Sequence, residues 1–452
     1  MTRALQVAVD VLWMLALVVV LPAGAAGQSG GQAPPIPAGR LTLADAISQG
    51  LAASHRLAEA SAREDATRAA ADGRVAAMRP LVSLLAGYTR TNHVDEFGIA
   101  GPGGALRVIY PDVPDNYRTR LDLQWPIYTS GRLQATARAA KAELTAAGKD
   151  VEAARADLRL EITRAYWALL TAREAVRVVD EALKQITEHL RDVRNRFQVG
   201  LVPPSDVLSV EAQRSGEEVL LIDARNLQEL AAADLRRLIG ADPDTPLELD
   251  AALGEVPPAP PPAVGLVAEA RSARPERQAL TSRIAGAAER QTAARAASRP
   301  VIALAGGLDY ARPNPRIFPR SPEWNESWDA GVNFSWPLWD GGRVRADVAE
   351  AAANHRAVEQ RLQEFDSVLE VEVRQRRLDL ESARAAIAAG GDAVRSATEA
   401  RRVVAERYRA GVATNTEVLD AQQQLLQVEL QRTRALANAQ LAAARLQRAL
   451  GR

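Results

Sequence analysis

Trp328-Asp329-Ala330-Gly331-Val332-Asn333-Phe334-Ser335-Trp336-Pro337-Leu338-Trp339 is the stretch on which the fold turns. Trp328, Ala330, Val332, Phe334 and Trp336 alternate with Asp329, Gly331, Asn333 and Ser335. An extended backbone sends successive side chains to opposite faces, so the aromatic and aliphatic groups share one face and the polar or small groups the other. Apolar outward and polar inward is the pattern of a membrane β-barrel strand.

The Trp-Pro step occurs twice. Trp125-Pro126-Ile127-Tyr128 precedes Trp336-Pro337-Leu338-Trp339 by 211 residues, and each is followed by Gly-Arg, at Gly131-Arg132 and Gly342-Arg343. The same offset carries Phe197-Gln198-Val199-Gly200 onto Tyr408-Arg409-Ala410-Gly411 and Leu238-Ile239-Gly240 onto Ala449-Leu450-Gly451. Upstream, Arg79-Pro80 matches Arg299-Pro300 at an offset of 220, which assigns nine extra residues to the loop of the first copy. A fixed spacing over this length marks an internal duplication. Repeat one runs over 41–251 and repeat two over 264–452, joined by the Pro-rich linker 252–263. Residues 256–262, Val-Pro-Pro-Ala-Pro-Pro-Pro, favour extended chain.

Long helices fill most of each repeat. Leu158, Ile162, Tyr166, Leu169, Val176, Val179, Leu183, Ile186, Leu190, Val193 and Phe197 recur mostly at steps of three and four, a coiled-coil stripe. Residues 131–198 contain no proline and predict a helix roughly 100 Å long. The return is predicted in two pieces, 205–239 and 264–299, each roughly 50 Å. Repeat two descends over 343–409, and 43–79 with 414–451 cover the same span. Matched lengths describe a tube wall of paired helices.

Strands fall between the short and the long helix of each repeat, with β-hairpins at about 81–126 and 301–337. In repeat one Tyr117, Thr119, Leu121, Leu123 and Trp125 alternate with Arg118, Arg120, Asp122 and Gln124. Val82, Leu84, Ala86 and Tyr88 form the weaker partner, and Ile302, Leu304, Gly306, Leu308 and Tyr310 its second copy. Residues 91–116 and 311–326 are expected as exterior loops. Of the seven tryptophans, Trp125, Trp324, Trp328, Trp336 and Trp339 lie in or beside these segments, the placement of interfacial girdles. Four strands are fewer than the roughly eight with which single-chain membrane barrels begin, and an open edge in lipid is not viable. The barrel is therefore expected to be shared. Three copies leave a wider lumen than two, whose barrel would fill with side chains.

Composition narrows the classes. Residues 1–26 read as a secretory signal, with Arg3, an apolar run from Val11 to Leu21 and Ala23-Gly24-Ala25. Residues 27–40 follow as a flexible segment. No later stretch approaches the roughly 18 apolar residues of a spanning helix. With no cysteine, disulfides, thiolate metal sites and a lipidated N-terminal cysteine are excluded. His55, His93, His189 and His355 have no ligand spacing, and 56 basic against 56 acidic residues give no global field for nucleic acid. No P-loop, nucleophile elbow or metal-spaced histidine pair occurs, so neither a catalytic nor a cofactor site is expected.

Over essentially the whole mature chain, this order of short helix, hairpin, Trp-Pro turn, long helix, glycine tip and return helix resembles the TolC-like outer-membrane factors. The most specific segment is Tyr408-Arg409-Ala410-Gly411-Val412 with Glu417-Val418-Leu419-Asp420-Ala421-Gln422, similar to the family's tip motif. The resemblance implies a mainly α fold in which duplicated helical hairpins form a periplasmic α-barrel and four strands per protomer join a trimeric outer-membrane β-barrel. It also implies a homotrimer in outer-membrane lipid, docked to a periplasmic adaptor and an inner-membrane pump as the exit duct of efflux or type I secretion. Pro203-Pro204 and Ala413, which stands where some members have a basic latch residue, depart from the pattern. The alternative is a soluble periplasmic coiled-coil scaffold or adaptor.

Two tips follow, at 197–208 and 408–419. Phe197, Gly200, Leu201 and Asp206 in the first, with Tyr408, Gly411 and Val412 in the second, are the candidate adaptor-docking residues, the glycines permitting positive φ at a helix end. Glu417 and Asp420 stand three residues apart on one face of a first helical turn. They are the candidate periplasmic gate: threefold symmetry would crowd six carboxylates, attract cations and raise some of their pKa values. Thr414 and Glu417 also have the spacing of a capping box.

Overall fold

The computed structural model describes residues 40–101, 106–250 and 253–452. The expected signal lies outside them. The described elements run α1 (Leu43–Ala53), α2 (His55–Ala76), β1 (Leu81–Arg90), β2 (Phe97–Ala100), β3 (Leu106–Tyr110), β4 (Asp115–Tyr128), α3 (Arg132–Gln198), α4 (Pro204–Ile239), α5 (Leu266–Ala273), α6 (Pro275–Ala296), β5 (Val301–Arg312), β6 (Asn325–Ser335), α7 (Arg343–Arg409) and α8 (Asn415–Ala449).

The two long helices, α3 and α7, each have 67 residues and begin after a left-handed glycine, Gly131 at φ 85° and Gly342 at φ 88°. The short ascending helices, expected as the single pieces 43–79 and 264–299, are each broken. Pro275 opens α6 and bars Arg274 from helical geometry, so α5 stops there. In repeat one the Ser54 hydroxyl accepts the Leu57 N–H at 3.2 Å and starts α2 afresh, at the equivalent place.

The helices are held by two matching cores. In the first, Leu158, Ile162, Tyr166 and Leu169 of α3 pack on Leu235, Leu238 and Ile239 of α4 and Ala46 of α1. In the second, Leu369, Val373 and Leu380 of α7 pack on Leu446, Ala449 and Leu450, with Leu266 and Ala270 of α5. Six positions of α3 and α4 reappear 211 residues later, so both halves bury the same face. α8 also lies against α3, which ties the halves together. Between them the chain from 253 to 263 has neither helix nor strand, and its Glu255 carbonyl accepts from Gln440 at 2.8 Å on α8.

The main sheet is antiparallel in the order β1-β4-β5-β6. Repeat one thus meets repeat two at β4–β5, and β1 and β6 remain as edges. The region 91–116, expected as a loop, contains the short ribbon β2–β3, whose residues 97–100 and 106–110 pair with one another.

Candidate functional site

Direct pairing puts opposed residues on one face of a sheet. Leu84 pairs with Leu121, Leu121 with Leu308 and Leu308 with Trp328, an apolar row across all four strands. One residue along, Leu85 pairs with Arg120, Arg120 with Asp309 and Asp309 with Ser327. The apolar side is exposed, with Val82, Leu84, Leu121, Leu123, Leu308, Trp328, Val332 and Phe334 open.

Aromatic side chains mark both ends of that face. At the loop end Tyr88 lies 5.0 Å from Tyr117, Tyr117 5.8 Å from Trp324, and Trp324 stacks on Tyr310 at 5.0 Å. At the helix end the Trp125 indole N–H donates to the Met78 carbonyl at 3.2 Å, and the Trp336 indole donates to the Ser298 carbonyl at 3.1 Å. Each Trp-Pro tryptophan is thereby tied to the last turn before its hairpin. Trp339 lies beyond β6, 89 % exposed.

The polar side carries an ion network. Arg120 donates to Asp122 at 2.7 Å and Asp329 at 2.9 Å and bonds Asp309 as well; Arg118 donates to Asp309 at 2.6 Å and Arg316 to Asp329 at 2.7 Å. Gly307 makes this possible, since a Cβ there would sit 2.4 Å from the Arg120 guanidinium.

The tips share one backbone geometry. Leu201 N–H donates to the Arg196 carbonyl at 2.9 Å and Val412 N–H to the Arg407 carbonyl at 2.9 Å, with Gly200 at φ 76° and Gly411 at φ 78°. Six-residue closure over a left-handed glycine satisfies carbonyls that a helix end leaves free. The side chains differ. Tyr408 is only 6 % exposed, packed with Ile186, Leu190, Val193, Val210 and Val418, whereas its counterpart Phe197 is 43 % exposed. Leu201 and Val412 are open, and Asp206 lies in the first turn of α4.

Glu417 accepts the Thr414 N–H at 3.1 Å and the Thr414 hydroxyl accepts the Glu417 N–H at 3.3 Å, a complete capping box. The Thr414 backbone and hydroxyl bonds, joined by Arg407 at 3.6 Å, hold the Glu417 carboxyl below the usual carboxylate range. Within one chain this opposes the rise that crowding about a threefold axis would bring. Asp420 is exposed one turn further on.

Three tip residues were not singled out from sequence. His189 Nε2 lies 2.9 Å from Asn415 Oδ1, Asn415 Nδ2 donates to the Asp206 carbonyl at 3.4 Å, and the Arg196 guanidinium sits 4.7 Å over the Tyr408 ring. Spacing along the chain gives no sign of the His189–Asn415 pair, since the two residues stand 226 apart. Among the described residues no group of three or more His, Cys, Asp or Glu side chains is placed to hold a metal, and no helix is long and apolar enough to cross a membrane.

A lipid-compatible sheet face, a charged opposite face and long paired helices ending in glycine tips define the protomer of an outer-membrane channel with a periplasmic extension. The sequence pattern of the family described as outer membrane efflux protein matches residues 46–241 and again 266–452, and the chain belongs to that family. Protein CyaE of Bordetella pertussis is 29 % identical over 418 residues, covering 89 % of this chain and 85 % of its own length. Outer membrane protein TolC of Vibrio cholerae is 24 % identical over 389 residues, covering 85 % and 84 %. The outer membrane channel CmeC of Campylobacter jejuni has the same fold, with a TM-score of 0.78 at 18 % identity over 90 % of this chain and 85 % of that one. The protein is an outer-membrane exit channel of the kind that serves tripartite efflux and type I secretion. Members of the family are channels, form trimers and act with an adaptor and an inner-membrane pump.

Proposed function

We propose that three copies of this chain close one barrel of twelve strands above a periplasmic helical tube, whose far end docks an adaptor at the two tips and is gated by Glu417 and Asp420. The carrying observation is that β1 and β6 are both unpaired edges of a four-stranded sheet with an apolar face. Unpaired backbone groups in hydrocarbon each cost several kcal/mol, so both edges need partners. The tips support the same reading. Tyr408 of repeat two is seated on α3, and the positions equivalent to that seat lie on α7; the open Phe197 therefore fits α7 of the next copy.

The duplication also supplies a register. Carrying the β4–β5 pairing through the offsets of 211 and 220 sets Val332 against Tyr88 of the partner subunit, both on the apolar face, and Gly331 against the partner subunit's Thr89, both on the polar face. The native sequence has no cysteine, so Thr89→Cys/Gly331→Cys is a clean probe. Oxidised membranes are expected to yield linked dimers and trimers, while Thr89→Cys/Val332→Cys, with side chains on opposite faces, stays unlinked. Equal linkage of both pairs would reject the register, and no linkage at any neighbouring pair would reject edge-to-edge closure.

A further inference from the structure

We propose that residues 313–322, within the β5–β6 connection, form a strap folded into the lumen that narrows the exterior mouth of the channel and screens solutes by size. This rests on the barrel reading above. The loop is turned inward by its anchors. Asn314 donates to the Ser327 hydroxyl at 3.0 Å and the Asn325 carbonyl at 2.9 Å, and Arg316 donates to Asp329 and to the Trp328 carbonyl, both at 2.7 Å. Arg320 donates to Asn116 Oδ1 and to the Tyr110 hydroxyl, both at 2.7 Å, and its N–H donates to the Ile109 carbonyl at 3.2 Å.

Alternation along the strands assigns Ser327, Asp329 and Asn116 to the polar face, the one that carries Arg120 and Asp309. Asn314, Arg316 and Arg320 bond no side chain of the apolar face; at the far end of the strap the Arg312 guanidinium, in register with Tyr117, donates to the Pro322 carbonyl at 2.7 Å. A loop standing up from the rim would leave the end of that polar face open to the lumen. Instead Asp309 is 2 % exposed, Ala311 1 % and Asn314 1 %. Between the strap, at Pro313, Pro315 and Arg320, and the face, at Gly87, Arg118 and Arg120, a cavity of about 380 Å³ remains.

Six of the charges at this level are paired, while Arg320 adds a positive charge bonded to neutral groups. Arg118, Arg120 and Arg316 face Asp122, Asp309 and Asp329, each aspartate bonded to at least one arginine. A pore selects by ion sign through an unbalanced ring of charge and by size through its narrowest diameter. The inward strap sets that narrowest diameter at the mouth.

The test uses the full-length protein in intact cells with one introduced thiol. Asn333→Cys lies on the polar face, on the helix side of the strap; Val332→Cys lies on the apolar face. A kilodalton-sized maleimide polymer, too large for general porins, is added outside, and a small maleimide after extraction counts all reactive thiols. Arg316→Ala, or Arg316→Ala/Arg320→Ala if one anchor suffices, is expected to speed polymer labelling of Asn333→Cys by about tenfold. An unchanged labelling rate in the double-anchor variant overturns the strap. Polymer labelling of Val332→Cys in place of Asn333→Cys would instead mean that the faces, and with them the barrel reading, are inverted.

Discussion

His189 Nε2 lies 2.9 Å from Asn415 Oδ1, and this one bond links the middle of the tip region of α3 to the first residue of α8. Burial is the strongest influence on His189 and lowers its pKa, against smaller raising effects from Asn415 and Asp192; Arg196 adds to the lowering. Glu188, Arg401, Arg402, Tyr408 and Gln422 share the surrounding cavity. The folded tip thus favours the neutral ring. That stability is present above the unfolded-state pKa of about 6.5 and is lost as pH falls through the lower folded value. Hydrogen-exchange protection at the tips, after correction for the intrinsic pH dependence of the exchange step, should fall on acidification below about pH 6.5, and His189→Gln should flatten the response. An identical pH slope in the variant would remove His189 from the explanation.

Reversing the character of the sheet faces separates lipid from lumen. Val332→Arg or Phe334→Arg should cost about 2–4 kcal/mol near the bilayer midplane and impair insertion, whereas Asn333→Arg should insert and alter conductance. Membrane-integrated yield and single-channel recording check this, and equal tolerance at all three positions would reverse the assignment.

Planar-bilayer recordings of the purified channel should show cation preference and block by multivalent cations, both weakened in Glu417→Gln/Asp420→Asn. Because Glu417 already caps α8 through Thr414, a helical-content measurement must accompany the recording. Unchanged selectivity and block in a folded double variant would leave capping as the role of Glu417.

Val199 and Val412 are exposed at the two glycine tips. Photo-crosslinking residues placed there should capture a periplasmic adaptor in cells. Capture solely from mid-helix positions would move the docking site away from the tips.

Gly50 has a packing role that Ala270 fills in the second half. A Cβ at Gly50 would meet Ile162 Cδ1 at 2.4 Å and the Leu238 carbonyl at 3.0 Å. Gly50→Ala should therefore cost about 1–3 kcal/mol through overpacking, read from the denaturant midpoint of the helical signal. A midpoint equal to that of the native protein would show that Ile162 re-packs freely.

The periodic features were legible because they are local. Alternation at Trp328 to Trp336 and the three-four stripe on α3 need only the geometry of one strand or one helix. Single irregularities were less visible. The break at Arg274–Pro275 had a proline to announce it, but its counterpart at Ser54 depends on a hydroxyl that would be equally at home on a helix surface. The ribbon β2–β3 hides among residues typical of a loop. At the tip, Phe197 and Tyr408 occupy equivalent positions, and nothing in their neighbourhood says that one is open and the other buried.

By itself the sequence determined the duplication, the lengths of the long helices, the two-faced strands and the family, since each follows from spacing along the chain. Only the tertiary structure decided that Arg120 lies across Gly307 to reach Asp329, that His189 meets Asn415, that the 313–322 strap turns toward the polar face and that Tyr408 seats on α3. Those contacts join residues far apart in the chain, and the free energy that selects them comes from packing, desolvation and charge pairing that exist only once the elements are side by side.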